Sequence, residues 1–351
     1  MLTNLSSEQR AGAGADTIPT SRTHPKGTRM AQIIDLPQIN AALERINVVR
    51  FMEEGFAAYS RGDVVVPPVG EMLFEDPRGE AHIKYGFIKD DDYFVIKIAS
   101  GFYDNVKLGL PTNSGLMLLF SQQTGKLLSV LLDEGHLTGV RTAAAGAVVA
   151  RYMAPGNVRR IGIVGAGDQA RRQLLMLDPV VDCRDVMVWG LSQEEVEAYR
   201  RDMEPLGYQV DTTLEPAELA AGCNLIVCVT PARRPLLSSE DIQPGTHITA
   251  VGSDTPEKQE LDAEILARAD IVVADSIEQC RSRGEIYQAT MAGVLDGAKP
   301  VELGNVISDP GLGRSSDDQL TVADLTGVAV QDVQIAKAVY LTLEGSQAAS
   351  R

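Results

Sequence analysis

Residues 160–177 read RIGIVGAGDQARRQLLML. A short apolar run (Ile161, Ile163, Val164) enters the turn Gly165-Ala166-Gly167, and Ala170 then opens a segment with helical spacing at Leu174, Leu175 and Leu177. The pattern is strand, tight turn, helix. Gly165 permits the turn, Gly167 removes a side chain that would block a pyrophosphate, and Ala170 lets helix and strand pack closely. Unpaired N–H groups at the helix start then face the phosphates. A G-x-G-x-x-A string alone is common; the strand before it and the helix after it make it specific.

Toward the C-terminus, strand-like and helical stretches alternate. Residues 186–189, 225–230, 247–251 and 271–274 read as strands, residues 193–203 as a helix, and further helical segments intervene. This predicts a Rossmann-type doubly wound parallel sheet, α/β in class, over residues 146–319. The acidic residue expected after the second strand, where it would hold an adenosine ribose, is missing. Trp189-Gly190-Leu191-Ser192 stands there, with Glu194 and Glu195 the nearest carboxylates, so this turn does not separate NAD from NADP.

Toward the N-terminus, residues 1–29 have no periodic apolar face and are expected to be a disordered tail. Met30 reads as a domain start, so the tail is expected to be an upstream extension or a transit peptide. Residues 34–59 predict one helix, ending near Gly62 and stopped by Pro67-Pro68. Strands are expected at 71–74, 81–88 and 93–99, the last two forming a hairpin about Lys89-Asp90-Asp91-Asp92; a second hairpin joins 114–121 to 126–132. Residues 30–145 are therefore expected to form an α+β domain with an antiparallel sheet. An alanine-rich helix at 142–153 connects the two halves, and a last apolar helix at 329–343 packs back on the first domain, which residues 320–351 complete.

Composition narrows the function. Lys and Arg number 32 against 48 Asp and Glu, a formal net charge of -16, which argues against a phosphate backbone as partner. No apolar run approaches the roughly 20 residues of a membrane span, so a soluble, cytoplasmic protein is expected. The four cysteines (Cys183, Cys223, Cys228, Cys280) and four histidines (His24, His82, His136, His247) are dispersed. Neither a disulfide nor a metal is expected, and Cys228 reads as a buried thiol.

Four side chains carry candidate chemistry. Lys97 lies in the apolar strand Tyr93-Phe94-Val95-Ile96-Lys97-Ile98-Ala99. It is either the outer-face residue of an alternating strand or a lysine held in a cleft, its pKa lowered by desolvation. Lys84 is similar, with an exposed strand face as its default. Arg141, before the alanine-rich helix, could clamp a carboxylate bidentately, and an arginine at a helix start opposes the helix dipole, so it needs another reason to be there. Asp254, in Val251-Gly252-Ser253-Asp254-Thr255-Pro256, follows a strand of the α/β half and is either a helix cap or a group at the ligand end of the sheet.

Taken together, these pieces resemble the ornithine cyclodeaminase and mu-crystallin family. The resemblance runs from about residue 31 to the end. It rests on VIKIASGFYDN around Lys97, LTGVRTAAAGAVVARYMAP around Arg141, IGIVGAGDQAR, AVGSDTPEKQEL around Asp254, Arg283-Gly284-Glu285, and GRSSDDQLTVADLTGVAVQD. It implies a homodimer paired through the substrate domain and hydride transfer at a nicotinamide, with NAD the expected cofactor and NADP left open. The implied reaction converts a short diamino acid such as ornithine to a cyclic imino acid such as proline, with loss of ammonia. The alternatives are a ketimine reductase or amino-acid dehydrogenase, and a non-catalytic binding protein. Lys97 and Arg141 would hold the substrate carboxylate, Lys97 would also handle protons, and Asp254 would be the acid or base at the reacting nitrogen. Gly165, Gly167, Asp168 and Gln169 would border the pyrophosphate, with Ser192 and Thr230 completing the cofactor set. Many family members carry a carboxylate-binding arginine in the segment that here reads Val66-Pro67-Pro68-Val69; Lys84 is the expected substitute. The segment beginning KIASGFYDN resembles the subgroup associated with ectoine breakdown.

Overall fold

Asp35 and Asn47 split the first helical stretch in two. After a short strand β1 (Gln32–Ile34), Asp35 caps α1 (Leu36–Leu43) in a reciprocal box with Gln38, and Asn47 caps α2 (Val48–Ser60). One continuous helix had been expected; each cap oxygen instead satisfies an N–H at the start of a new one. The structure, a computed structural model, describes residues 30–295 and 300–349, so the expected tail at 1–29 lies outside the described residues.

Strands β2 (Val64–Val65), β3 (Gly70–Phe74), β4 (Gly79–Ile88), β5 (Tyr93–Phe102), β6 (Asn113–Ser121) and β7 (Leu127–Leu131) follow. They form a sheet in the order β1-β7-β6-β5-β4-β2, with β3 also on β4. Both expected hairpins are present, and only β1 pairs in parallel, with β7. Helix α3 (His136–Met153) begins six residues earlier than expected. Arg141 therefore lies in its second turn, and the argument from an opposing dipole at the helix start does not apply.

The glycine turn joins β8 (Ile161–Val164) to α4 (Asp168–Leu177), which starts at Asp168 rather than at Ala170. Then come β9 (Asp185–Trp189), α5 (Gln193–Met203), β10 (Gln209–Thr213), α6 (Pro216–Gly222), β11 (Leu225–Cys228), β12 (Arg233–Leu237), β13 (His247–Ala250) and β14 (Gln259–Leu261). The chain continues through α7 (Ala263–Arg268), β15 (Ile271–Ala274), α8 (Ile277–Cys280), α9 (Glu285–Met291), β16 (Val301–Glu302), α10 (Leu303–Ser308), β17 (Thr321–Asp324) and α11 (Ala329–Ala349). Eight strands make a parallel sheet in the order β10-β9-β8-β11-β13-β17-β15-β16. The fold is thus α/β with a doubly wound parallel sheet, beside an α+β region built on the antiparallel one. Strands β8 and β11, buried on both faces, read as unbroken apolar runs, as helices on both sides require.

Strand β17 was not anticipated. It lies between β13 and β15, so residues 321–324 run in the parallel sheet and the chain returns to the antiparallel sheet only with α11. Residues Ala329 to Ala336 are all buried, and α11 packs on α2, α3, β4 and β5. A helix enclosed on all sides over this stretch has no amphipathic period, and it buries Gln331, Asp332 and Gln334 among its apolar residues.

Candidate active site

The hairpin register places Lys84 directly opposite Lys97 on neighbouring strands. Like charges in that position repel, and here both are out of water: Lys97 is 2% exposed and Lys84 8%. Neither is the outward-facing lysine that an alternating strand would predict. The charge is met from α11, whose Asp332 lies 3.0 Å from Lys97 Nζ and accepts a hydrogen bond from Arg141 Nε at 3.1 Å. Lys84 Nζ donates to the carbonyl of Gly327 at 2.8 Å, just ahead of α11. A Cβ at Gly327 would stand 3.0 Å from Arg141 Nη1 and 3.3 Å from Lys84 Nζ, so the two cations converge on its bare Cα, where the backbone is left-handed. Gln331 completes the fork by accepting from Arg141 Nη1 at 3.2 Å.

Two of these three basic groups thus share one buried carboxylate, and the third rests on backbone carbonyls. Desolvation pulls Lys97 down to about 7, against the opposing pull of Asp332. Burial and the neighbouring Arg141 lower Lys84 too. For Asp332, burial would raise the pKa, but Lys97, Arg141 and Lys84 together hold it below the usual carboxylate range.

Asp254 sits past the end of β13, in the wall of a cleft of about 210 Å³ lined by Thr142, Gln169, Thr230, Val251, Gly252 and Lys258 among others. Its carboxylate takes a 2.6 Å ion pair from Lys258 and caps no helix among the described residues. Burial opposes ionisation, yet Lys258, Lys84 and His82 leave the Asp254 pKa lowered. Asp254 and Lys84 act electrostatically on each other, which ties the cleft to the cation cluster.

The turn that would hold a dinucleotide fits one. Gly165 has φ +111, a conformation open to glycine, and a Cβ there would press on Thr230 and Val229. Gly167 is different: its backbone is ordinary, and a Cβ would meet nothing within 4 Å. Nothing in the protein itself demands glycine at 167, so the space beside it is available to a ligand. The N-cap of α4 makes no side-chain hydrogen bond, which leaves its first N–H groups facing that space. Gln169 lines the cleft with a buried Nε2 that has no partner. Asp168 is paired with Arg172 at 2.5 Å, and Thr230 is bonded through N and Oγ1 to Glu260. Ser192 caps α5 by accepting from Glu195 N, while the Glu195 carboxylate folds back to accept from Leu191 N at 3.1 Å.

Sequence reasoning missed one group and named another without giving it a role. Asp332 is a lone acid amid Val330, Val333 and Ile335, an uncompensated charge on a helix with no polar face. The second is Glu195, whose return to the turn after β9 is signalled by the Ser192-x-x-Glu195 spacing of a capping box.

Known proteins are similar to this chain over nearly its whole length. The chain is 40% identical over 337 residues to an uncharacterized cyclodeaminase of Sinorhizobium fredii, covering 95% of this chain and 99% of that protein. Its fold matches an archaeal alanine dehydrogenase dimer with bound NAD at a TM-score of 0.81 and 33% identity, covering 90% of this chain and 97% of that one. It also matches the Delta(1)-pyrroline-2-carboxylate reductase of Thermococcus litoralis, in complex with NADH and L-proline, at 0.84 and 26%, covering 90% and 98%. Residues 30–347 match the ornithine cyclodeaminase/mu-crystallin family, a span within which the glycine turn, the lysine strand and the Asp254 loop all lie. By sequence and by fold, the chain belongs to the ornithine cyclodeaminase/mu-crystallin family.

Proposed function

We propose that this protein is an NAD-dependent enzyme that interconverts the amine and imine at Cα of a small amino acid. The observation that carries this is the gathering of three buried basic side chains around one acid: Lys97 and Arg141 pair with Asp332, while Lys84 and Arg141 meet at Gly327, so the basic groups outnumber the carboxylate they pair with and suit an added anion. Arg141 and Lys97 hold the substrate carboxylate, with Lys84 in support. Lys84 takes the place of the missing arginine: Gly70 pairs with Ile83, so the segment after Val66-Pro67-Pro68-Val69 lies beside Lys84. Asp254 holds or moves a proton at the substrate nitrogen, and Lys97, brought to about 7, exchanges one near neutral pH.

Gly165, Gly167, Asp168 and Gln169 border the pyrophosphate, with Ser192 and Thr230 at the adjoining strand ends. Bound NAD supplies the hydride donor or acceptor. The Glu195 carboxylate beside the turn after β9 favours NAD, since a 2′-phosphate would meet like charge there. A substrate domain (30–145, completed by α11) and a nucleotide domain (146–319, extended by β17) divide the work. The antiparallel sheet leaves Met72, Leu73, Phe74, Tyr85 and Ile98 exposed, an apolar surface suited to pairing with a second copy. The archaeal relative is a dimer.

A ring-closing reaction on a diamino acid such as ornithine is one use of this site. A specific observation favours the other, reduction of an imine or oxidation of an amino acid with net redox change. The two acids of the substrate site already have cations: Asp332 has Lys97 and Arg141, and Asp254 has Lys258. A second substrate ammonium would have to displace one of them.

One assay divides these readings. Under the redox reading, purified protein oxidises NADH continuously with a cyclic imine, or with a 2-oxo acid plus ammonium. Release of ammonia and proline from ornithine with catalytic NAD+, and no lasting NADH absorbance, would assign the ring-closing reaction instead. Cofactor binding without turnover across a panel of amino, imino and 2-oxo acids would overturn the enzymatic reading.

A further inference from the structure

Strand β13 ends at Ala250, and the residues leading to Asp254 leave the sheet without a strand partner on both sides. Positions 252, 253 and 254 are each held from outside. Gly252 N donates to Glu260 Oε2 at 2.8 Å, the Ser253 hydroxyl donates to Glu285 Oε1, and Arg283 Nη1 donates to the Asp254 carbonyl at 3.3 Å. Two of these three anchors come from one short segment, Arg283-Gly284-Glu285.

The anchors are themselves tied together. Glu285 also accepts from Glu260 N at 2.7 Å and from Leu261 N at 3.2 Å, fixing the strand from which Glu260 reaches the loop. The other oxygen of Glu260 takes Thr230 N at 2.6 Å and Thr230 Oγ1 at 2.8 Å. One carboxylate therefore joins the loop after β11 to the loop after β13, and both line the cleft. The loops touch so closely that a Cβ at Gly252 would fall 2.0 Å from the Thr230 carbonyl. Gly284 has φ +89, and a Cβ there would stand 2.5 Å from Asp324 Oδ2, so the segment reaches the loop only with glycine at its centre. Arg283 makes a second anchorage on Glu71 of β3 at 3.1 Å, which fixes the Asp254 carbonyl relative to the antiparallel sheet as well.

Glu260 and Glu285 are 0% and 1% exposed, and their hydrogen-bond donors are backbone N–H groups and hydroxyls rather than cations. Burying two neighbouring carboxyls in this way is expensive for a loop that apolar packing could hold. It is intelligible if the placement of one particular residue matters.

We propose that Arg283-Gly284-Glu285 is a positioning clamp that, through Glu260 and Ser253, sets the place of Asp254 in the cleft. This rests on the reading of Asp254 as the acid or base of the reaction. Arg283 and Glu285 are positioning residues; they act through Asp254.

The test compares Glu285→Gln, Arg283→Met and Asp254→Asn in the full-length protein with NADH and the substrate found active in the assay above. Glu285→Gln and Arg283→Met are expected to lower kcat by about 10- to 100-fold while NAD affinity stays within about twofold. They should also displace the limb of the pH–rate profile that reports Asp254, which a purely structural change would leave in place. Introduced into Asp254→Asn, neither should slow the residual rate further. Wild-type kcat and pH profile in both variants, or full additivity with Asp254→Asn, would overturn the clamp. Wild-type turnover in Asp254→Asn would instead remove Asp254 from the chemistry, a separate failure. Should Glu285→Gln not fold, Ser253→Ala removes a single anchor and no charge; an undisturbed rate and profile there would equally overturn the proposal.

Discussion

Asp332 Oδ2 and Lys97 Nζ stand 3.0 Å apart, an ion pair between the last helix and a central strand in which the side chains are 1% and 3% exposed. Asp332 is also the carboxylate that makes the facing of Lys84 and Lys97 tolerable. Breaking a buried pair by removing one partner costs about 3–5 kcal/mol, because the other charge is left uncompensated. Asp332→Ala is therefore expected to lose that much in urea unfolding. A loss below about 1 kcal/mol would mean that the two lysines are neutralised in another way.

Lys97→Met removes a charge and keeps a chain of similar length in an apolar setting. We expect folding to survive, NAD affinity to be unchanged and kcat/KM to fall by about 100-fold or more, the loss of roughly 3 kcal/mol from a charged contact. Steady-state kinetics with fluorescence titration of NAD measures both. Unaltered kinetics would take Lys97 out of the site.

With its pKa brought to about 7 by desolvation, Lys97 is charged below that pH and neutral above it. Attraction for a carboxylate must therefore weaken as pH rises through about 7. Competitive inhibition by a simple carboxylic acid should be strongest near pH 6 and fade toward pH 8, roughly tenfold per unit at its steepest. Lys97→Met should flatten the curve, and an inhibition constant independent of pH in the wild type would contradict the role.

Two glycines should part company on mutation. At Gly167 a side chain enters open space, so Gly167→Val should fold normally and bind NAD at least about tenfold more weakly, a loss of some 1.4 kcal/mol or more. At Gly252 the added carbon would collide with a backbone carbonyl, so Gly252→Ala should destabilise the fold itself. Thermal melting and calorimetric titration of both proteins check the contrast, which fails if Gly167→Val binds NAD normally.

His247 is buried in β13, with its ring nitrogens on Thr321 and Thr249; burial, then Arg314, depress its pKa to about 3. Between that value and the ordinary 6.5 the unfolded chain binds a proton that the folded chain refuses. Stability is thus whole above pH 6.5 and falls with acidification, by about 1.4 kcal/mol per unit once below it. Urea midpoints at several pH values should show this slope in the wild type and a shallower one in His247→Gln; equal slopes would exclude it.

The nucleotide half was legible because its signals are local. A strand, a turn that needs glycine and a capped helix are adjacent in sequence, and the segment 193–203 matched its helix to the residue because Ser192 caps it. The strands missed, such as β17 and β10, are short and carry polar residues (Thr321 and Asp324; Gln209 and Asp211), so they lack the unbroken apolar run by which a strand as short as β15 was read. Lys97, Lys84, Arg141 and Asp254 could be picked out as odd residues in their settings. The facing of Lys84 and Lys97 was implicit in the hairpin, since pairing Phe87 with Phe94 beside the turn fixes every pair above it. Asp332 was not to be found that way. Its partners lie 235 and 191 positions upstream, and only packing of α11 on the antiparallel sheet brings them together.

That separation has a bearing on how the molecule comes into being. A growing chain completes its glycine turn, both hairpins and Arg141 long before it makes α11. Until Asp332 arrives, the hairpin carries two lysines facing each other with no carboxylate between them, so its inner face is better left wet than packed. The last helix to be synthesised is the one that lets this face close. The ion pairs that Lys97 and Arg141 make with Asp332 can form only once that helix exists, and a chain cut short before Asp332 forfeits both.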